Sequence, residues 1–321
     1  MSVLVTGGAG FIGSAVVHAL ADAGMRPVIL DDLSAGRREV VDGFPLYHAD
    51  IADGAALDRI HAEHEITTVI HCAARKSVPE SVAKPLWYYQ ENVGKTLRLL
   101  DHLRRNGSSR LVFSSSASVY ADADGRGIPE EAPLGGVSPY ARTKLMVEQI
   151  LTDIGALGEI ETLSLRYFNP IGADPKLRTG PSQGFSETAL GALIAAHRTG
   201  TQFRLMGTDW ATVDGTAVRD YVHLWDVAEA HVAAVRRLEE RGPANAVLNV
   251  GSGRGTSLRE LLAAFERVTG EPVTMVEAGR RAGDLAGGYA VVDRARDVLG
   301  WTPRLGLEDG IRDTLAWATR P

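Results

Sequence analysis

The sequence predicts an α/β fold: a doubly wound parallel sheet covered by helices on both faces, with a smaller mixed C-terminal lobe. Three observations predict it. From the N-terminus to Asn169, short β-rich runs alternate with amphipathic stretches of helical period, the pattern of repeated right-handed strand-helix-strand units. The runs are close to continuously apolar, as at Val69–Cys72, which suits strands buried on both faces. After Asn169 this texture gives way to clustered Pro, Gly, Ser and Thr over residues 170–190, the composition of a long functional loop or a crossing between lobes.

Taken in order, the expected strands are Val3–Thr6, Pro27–Leu30, Val69–Cys72, Leu111–Ser114 and Thr162–Arg166. Between them lie expected helices at Phe11–Ala23, Ala55–His64, Lys84–Arg105 and Pro139–Ile154. Beyond the loop come helices Thr188–Thr199, Trp225–Arg241, Ser257–Thr269 and Gly306–Ala318, with a short strand at Ala246–Val250. Residues 1–170 are expected to form one domain and 171–321 a smaller lobe folded against it, both contributing to one cleft.

Composition narrows the class. At 321 residues, 45% hydrophobic and 23% charged, the chain buries a sizeable core and is not disordered. Its 35 glycines follow no three-residue period, which excludes collagen. Forty acidic against 34 basic residues give a charge of −6, which argues against a nucleic-acid or anionic-membrane binder. One Cys cannot form an internal disulfide and fits a reducing compartment. The apolar start lacks a basic segment and is broken by four glycines, so neither a secretory signal nor a membrane span is expected there. The protein is read as soluble and cytoplasmic, with no metal site.

Val3–Thr6 runs straight into Gly7-Gly8-Ala9-Gly10-Phe11-Ile12-Gly13, and a helix follows. Gly7 permits a tight turn, Gly10 lets the backbone approach a pyrophosphate, and Gly13 allows close helix packing. The helix start then offers free N–H groups and a positive dipole end. A Gly-rich turn without a ligand is the plain alternative. The strand-then-helix context outweighs it, as does Asp31-Asp32 at the end of the next strand. A carboxylate there accepts hydrogen bonds from an adenosine ribose and repels a 2′-phosphate, so Asp31 favours NAD over NADP. Arg37 and Arg38 read as a solvated helix start. The reading is a Rossmann-like NAD site.

The second signal is Ser138-Pro139-Tyr140-Ala141-Arg142-Thr143-Lys144. Ser138 suits an N-cap and Pro139 a first turn, which puts Tyr140 and Lys144 on one helical face. A phenol of ordinary pKa near ~10 is a poor base at neutral pH, and a neighbouring ammonium brings it toward useful basicity. The same Lys can hold a nicotinamide ribose. Alone, Tyr-x-x-x-Lys recurs by chance. Here Phe113-Ser114-Ser115-Ser116-Ala117-Ser118 closes a strand at the sheet edge where ligands bind, so Ser116 reads as a hydroxyl partner of the reacting oxygen.

These residues resemble the extended short-chain dehydrogenase/reductase superfamily, and within it the UDP-glucose (UDP-galactose) 4-epimerase family. The resemblance is carried further by Val28–Gly36, His71–Pro85, Tyr88–Arg98, Leu165–Ala173, Asp214–His223 and Arg280–Leu285, which together span nearly the whole chain. It implies that Phe11, Ile12, Asp32, Leu33 and Ser34 join the glycine loop and Asp31 around NAD, with Asp50 and Ile51 at the adenine. Ala73, Ala74, Lys76 and Asn92 would line the middle of the cofactor, and Ser114 and Tyr167 its nicotinamide end. Lys76, Ser116, Asn169, Arg219, Arg281 and Asp284 would meet the UDP-sugar. Two arginines from separate segments suit a diphosphate in an acidic protein, whose overall field repels anions.

The implied reaction is 4-epimerisation of a UDP-hexose through a transient 4-keto sugar, with Tyr140 as proton acceptor, Ser116 aiding it, and NAD recycled. A homodimer is implied, with helices around Leu86–Arg105 and Pro139–Ile154 paired across a two-fold axis. Gly288, four residues past Asp284, would lack the bulk that excludes a 2′-acetamide, which opens N-acetylated sugars. A 4,6-dehydratase is disfavoured because Ala117-Ser118, not an acidic pair, follows Ser116. A net NAD(P)H-linked reductase and a non-catalytic dinucleotide sensor are the remaining alternatives. The chain departs from the family pattern at Asp32 (commonly Asn), at Arg75, and at Ser186–Leu190, where Asn-Leu is expected and Glu187 falls near the diphosphate. The uracil-side strand also reads Phe203-Arg204-Leu205-Met206.

Overall fold

The computed structural model describes residues 1–181, 185–240, 245–281 and 283–320. Among these the strands are, in chain order, β1 (Ser2–Thr6), β2 (Arg26–Asp31), β3 (Leu46–His48), β4 (Ile66–His71), β5 (Arg110–Ser116), β6 (Arg126–Ile128), β7 (Glu161–Tyr167), β8 (Asn169–Ile171), β9 (Phe203–Met206), β10 (Val218–Arg219), β11 (Tyr221–His223), β12 (Ala246–Val250), β13 (Thr256–Ser257), β14 (Met275–Ala278) and β15 (Gly288–Ala290). The helices are α1 (Phe11–Asp22), α2 (Gly54–Glu63), α3 (Val78–Ala83), α4 (Pro85–Tyr89), α5 (Lys95–Arg105), α6 (Pro139–Ala156), α7 (Ala189–Thr199), α8 (Leu224–Glu239), α9 (Leu258–Thr269), α10 (Asp293–Leu299) and α11 (Leu307–Ala318).

Seven strands form one parallel sheet in the order β12-β7-β5-β4-β1-β2-β3. Apolar runs build it because both faces are covered. On one face Val5, Val112 and Leu165 pack against Val16 and Leu20 of α1 and Val227 and Val235 of α8. On the other, Leu4, Val69 and Phe113 pack against Leu57 of α2, Leu99 and Leu103 of α5, and Val147 and Leu151 of α6. The strand order reverses beside β1, so the carboxyl ends of β1, β2 and β4 open the crevice that this topology uses for ligands.

Three expectations need correction. The strand at Ala246–Val250 does not belong to the C-terminal lobe. It pairs with β7, Leu248 opposite Leu165, and completes the main sheet. Without it the apolar β7 would be an exposed edge. The sheet and its α8 cover therefore extend past residue 170. The helix expected at Lys84–Arg105 starts at Pro85 and is helical throughout, but a π-helical turn at Gln90–Gly94 interrupts its α geometry between α4 and α5. The helix expected at Trp225–Arg241 runs from Leu224 to Glu239, and Arg241 lies outside the described residues.

The second lobe is built from strand pairs β8/β11, β9/β14, β10/β13 and β6/β15, with an apolar core from α7, α9 and α11 and a separate cluster in which Ile128 of β6 and Ala290 of β15 join Val119, Tyr120 and Phe168. The buried Asp220 carboxylate accepts from the backbone N–H groups of Ser252, Gly253 and Ala290, fastening this lobe to the end of β12. Among the described residues no helix is long and apolar enough to cross a membrane.

Candidate active site

A cleft of about 330 Å³ opens at the carboxyl edge of β1, β2 and β4 and runs to the start of α6. Its phosphate end is the glycine loop. Gly7 has φ +70°, and a Cβ there would lie 2.6 Å from the Ala73 backbone nitrogen. At Gly13 a Cβ would lie 2.1 Å from the Gly7 carbonyl oxygen. Both positions exclude a side chain, and Gly10 caps α1 so that the first N–H groups of the helix face the cleft.

Asp31 ends β2 and is buried. Its carboxylate accepts from the N–H groups of Ala9 (2.9 Å) and Leu33 (2.8 Å), which ties the glycine loop to the strand end. Burial raises its pKa, and the two backbone bonds oppose that rise. Leu33 takes φ +54° to make its bond and does not itself line the cleft, unlike the other residues expected around the cofactor. Asp32, Ser34, Asp50 and Ile51 border the adenosine end, and Ala73, Ala74, Lys76 and Asn92 the middle.

Asn92 sits in the π-helical turn, and its amide is engaged by protein. It accepts from the Arg75 N–H (2.8 Å) and donates to the Arg75 carbonyl (2.9 Å) and the Thr143 hydroxyl (3.1 Å), pinning the loop after β4 to α6. Burial lowers the pKa of Lys76, and Glu187 opposes this. Phe185 closes edge-on against Phe11 beside it, with ring centroids 6.3 Å apart.

At the far end Ser138 caps α6 by accepting from the Ala141 N–H (3.2 Å), and Tyr140 and Lys144 line the cleft one turn apart. Ser116 stands just outside the lining near the Tyr140 phenol, and its Oγ accepts from the Ser118 N–H (3.2 Å) and hydroxyl (2.9 Å). Burial raises the pKa of Tyr140, with the nearby Ser116 hydroxyl opposing. Lys144 is pulled down to about 8 by burial, against the charges of Cys72 and Glu148. Its Nζ donates to the Ser114 carbonyl (2.6 Å) and lies 6.0 Å from the Tyr140 ring centroid. In the protein alone the phenol thus stands above its ordinary value, while the Lys144 head is hydrogen-bonded to the Ser114 carbonyl. Beneath them the Tyr167 hydroxyl bonds Ser114 Oγ (2.7 Å) and the His231 imidazole, and Ser114 donates to Cys72 Sγ (3.1 Å).

The structure does not bring the expected sugar-nucleotide residues Asn169, Arg219, Arg281, Asp284 and Gly288 into the lining of this cleft; they gather on the second lobe. Asn169 begins β8, exposed, opposite Tyr221. The Arg219 guanidinium donates to the carbonyls of Val218 (2.8 Å), Leu285 (3.1 Å) and Ala286 (3.2 Å), and Arg281 pairs with Asp284 at 3.4 Å. Gly288 overturns its reading as a space-making position. A Cβ there would fall 2.5 Å from the Arg126 carbonyl oxygen and 2.9 Å from Ile128, because β15 is packed directly on β6.

Sequence reasoning does not assign Arg75, Glu91 and Lys95, which also line the cleft. Glu91 and Lys95 read as an ordinary surface i,i+4 pair, and Arg75 stands out only as a departure.

The donor set fits a dinucleotide: a side-chain-free cradle at a helix N-terminus, a carboxylate at the ribose position, and a Tyr/Lys pair at the opposite end. The model of the NAD dependent epimerase/dehydratase family matches residues 3–251. A UDP-glucose 4-epimerase of Azospirillum brasilense is 45% identical, with 98% of this chain and 91% of that protein aligned. The crystal structure of UDP-glucose-4-epimerase from Stenotrophomonas maltophila with bound NAD and formylated UDP-arabinopyranose superposes with a TM-score of 0.94 at 39% identity, covering 99% of this chain and 97% of that one. That of UDP-glucose 4-epimerase from Bifidobacterium longum in complex with NAD+ and UDP gives 0.90 at 35% identity, covering 99% and 98%. With a family match over most of its length and close relatives aligned from end to end, the chain belongs to the NAD dependent epimerase/dehydratase family and, within it, to the UDP-glucose 4-epimerases.

Proposed function

We propose that this protein epimerises UDP-glucose and UDP-galactose at C4 with bound NAD. One observation carries the proposal: Tyr140 and Lys144, with Ser116 beside them, stand at one end of a cleft whose other end is the glycine loop and Asp31. NAD, when bound, supplies an electron-pair acceptor that takes a hydride from the sugar carbon and returns it. The residues supply the rest. Tyr140 accepts the 4′-hydroxyl proton and gives it back, while Ser116, at the end of β5 beside the phenol, steadies the hydroxyl. Lys144 holds the cofactor ribose and keeps Tyr140 in register. Gly7, Gly10 and Gly13 seat the pyrophosphate with Phe11 and Ile12, and Asp31 accepts the adenosine ribose hydroxyls. Asp32, Ser34, Asp50 and Ile51 complete the adenosine pocket, with Leu33 behind them holding the Asp31 carboxylate through its N–H. Lys76, Asn169, Arg219, Arg281 and Asp284 meet the UDP-sugar, the arginines by exchanging carbonyl and carboxylate partners for the diphosphate.

The N-acetylated sugars drop out of the proposal with the reading of Gly288. A homodimer across the α3–α6 face is proposed too, supported by exposed Val82, Leu86 and Met146 on adjoining helices; light scattering at micromolar concentration distinguishes it from a monomer. Its setting is proposed to be the reducing cytoplasm, in keeping with the single thiol of Cys72.

The test is a coupled assay over a panel of nucleotide-sugars with protein-bound NAD quantified. Conversion between UDP-glucose and UDP-galactose with no net change at 340 nm supports the proposal, whereas stoichiometric NADH formation or consumption would replace it with a reductase. Tyr140→Phe should keep NAD bound while turnover falls by about two to four orders of magnitude. Near wild-type turnover in that variant would remove Tyr140 from the mechanism.

A further inference from the structure

We propose that Asp32, Arg75, Glu91, Lys95 and Asp50 form a charged clasp that closes over the adenosine end of the cleft and slows the exchange of bound NAD. The inference rests on reading the cleft as an NAD site. All five side chains line that cleft, and they are joined head to tail. Arg75 reaches Asp32 at 3.3 Å and Glu91 at 3.4 Å, and Lys95 joins Glu91 at 2.7 Å to Asp50 at 2.5 Å. Arg75 also donates to the Ser34 hydroxyl at 2.8 Å.

The residues come from four different segments. Asp32 and Ser34 follow β2, Asp50 follows β3, Arg75 follows β4, and Glu91 and Lys95 bracket the π-helical turn that leads into α5. β2 and β4 are not neighbours but flank β1. At the ordinary strand spacing, two strand separations are about 10 Å, so the Arg75–Asp32 pair spans the cleft from one side of β1 and its glycine loop to the other.

Backbone and side chain of Arg75 differ in freedom. Asn92 holds the Arg75 N–H and carbonyl, so the loop itself is fixed. The guanidinium, 5.2 Å from the Trp87 ring centroid, is about a quarter exposed, and Asp32 is 40% exposed. Release therefore needs only side-chain rotation with the loop in place. Partly exposed ion pairs are each weak and are screened by salt. The two pairs that meet at Arg75 correspond to roughly a two- to tenfold effect on a rate. Asp32 and Arg75 are also the two positions in this region where the chain departs from the pattern it resembles, and in the fold they are partners.

The experiment is exchange of bound NAD for radiolabelled NAD in the full-length protein, at about 20 mM and about 500 mM salt. Wild-type exchange should accelerate two- to tenfold at the higher salt. Arg75→Met should exchange at that faster rate already at low salt and lose the salt dependence. Wild-type exchange indifferent to salt, or Arg75→Met behaving as wild type, overturns the clasp; if Arg75→Met does not fold, the wild-type salt series decides. Wild-type protein that takes up no labelled NAD overturns the reading of the cleft itself, a result distinct from unaltered exchange rates.

Discussion

Burial moves Tyr140 and Lys144 in opposite directions, the phenol up and the ammonium down to about 8, because each loses hydration of its charged form. Sequence spacing alone shows that the two share a helical face. It does not show that Lys144 is drawn to the Ser114 carbonyl, since that contact depends on where β5 ends relative to α6. Gly288 teaches the same lesson from the other side. Its glycine is visible in the sequence and its lack of bulk reads as open space, yet the space is occupied by β6, a strand far from it along the chain. The expected outcome at Gly288 is therefore structural. Gly288→Ala should destabilise the protein by about 1–3 kcal/mol through overpacking against the Arg126 carbonyl, read as a lower denaturant midpoint. Gly288→Tyr should impair turnover of every nucleotide-sugar together. A variant with full stability and selective loss of N-acetylated substrates would restore the position as a specificity gate.

At the scale of the element, α6 carries the chemistry and is held by a pair that the sequence hides. Glu148, one turn past Lys144, reads from the sequence as a solvated helix residue. Instead it is buried and takes a bidentate bond from Arg166 of β7, 3.0 Å from Nε and 2.6 Å from Nη2. Ser115, the neighbour of Ser116, donates to the same carboxylate, and Arg166 continues to the Tyr120 hydroxyl at 2.8 Å. The three residues adjoin Ser116, Lys144 and Tyr167, so one ion pair sets the helix against both strand ends. Pair formation cannot be read from the sequence because it requires β5 and β7 to be neighbours. Breaking a buried pair leaves a charge without compensation. Glu148→Gln should thus cost about 3–5 kcal/mol, measured by urea unfolding. Replacing both partners, Glu148→Leu with Arg166→Met, should cost clearly less than the single change. A double variant as unstable as the sum of its singles would show that the pair is not coupled.

On the scale of the whole molecule, the N-terminal half announces its sheet but does not contain all of it. Strands β1, β2, β4, β5 and β7 are legible as apolar runs, and their parallel pairing follows from the helices between them. β12 is legible as a strand too, but a long stretch of loops and helices separates it from β7, and nothing local says which sheet it joins. Its partner is chosen by burial. Leu163 and Leu165 of β7 are fully buried, and so are Leu248 and Val250 of β12. The same face of the sheet is covered by α8, which supplies Val227, Ala228, Ala230, Ala234 and Val235, all of them beyond residue 170. We therefore expect the NAD-binding unit to depend on the chain past that boundary. A fragment of residues 1–170 would expose the α8-facing side of β1, β5 and β7, where burying each large apolar side chain is worth about 1.5–3 kcal/mol. Losses at several such positions exceed the few kcal/mol by which domains of this size are stable. The fragment should show no cooperative thermal transition and no protection of its amides by added NAD, while the full chain shows both. A fragment that melts cooperatively and is stabilised by NAD would show that the segment 1–170 is a domain in its own right, with α8 and β12 as accessories to a sheet already complete.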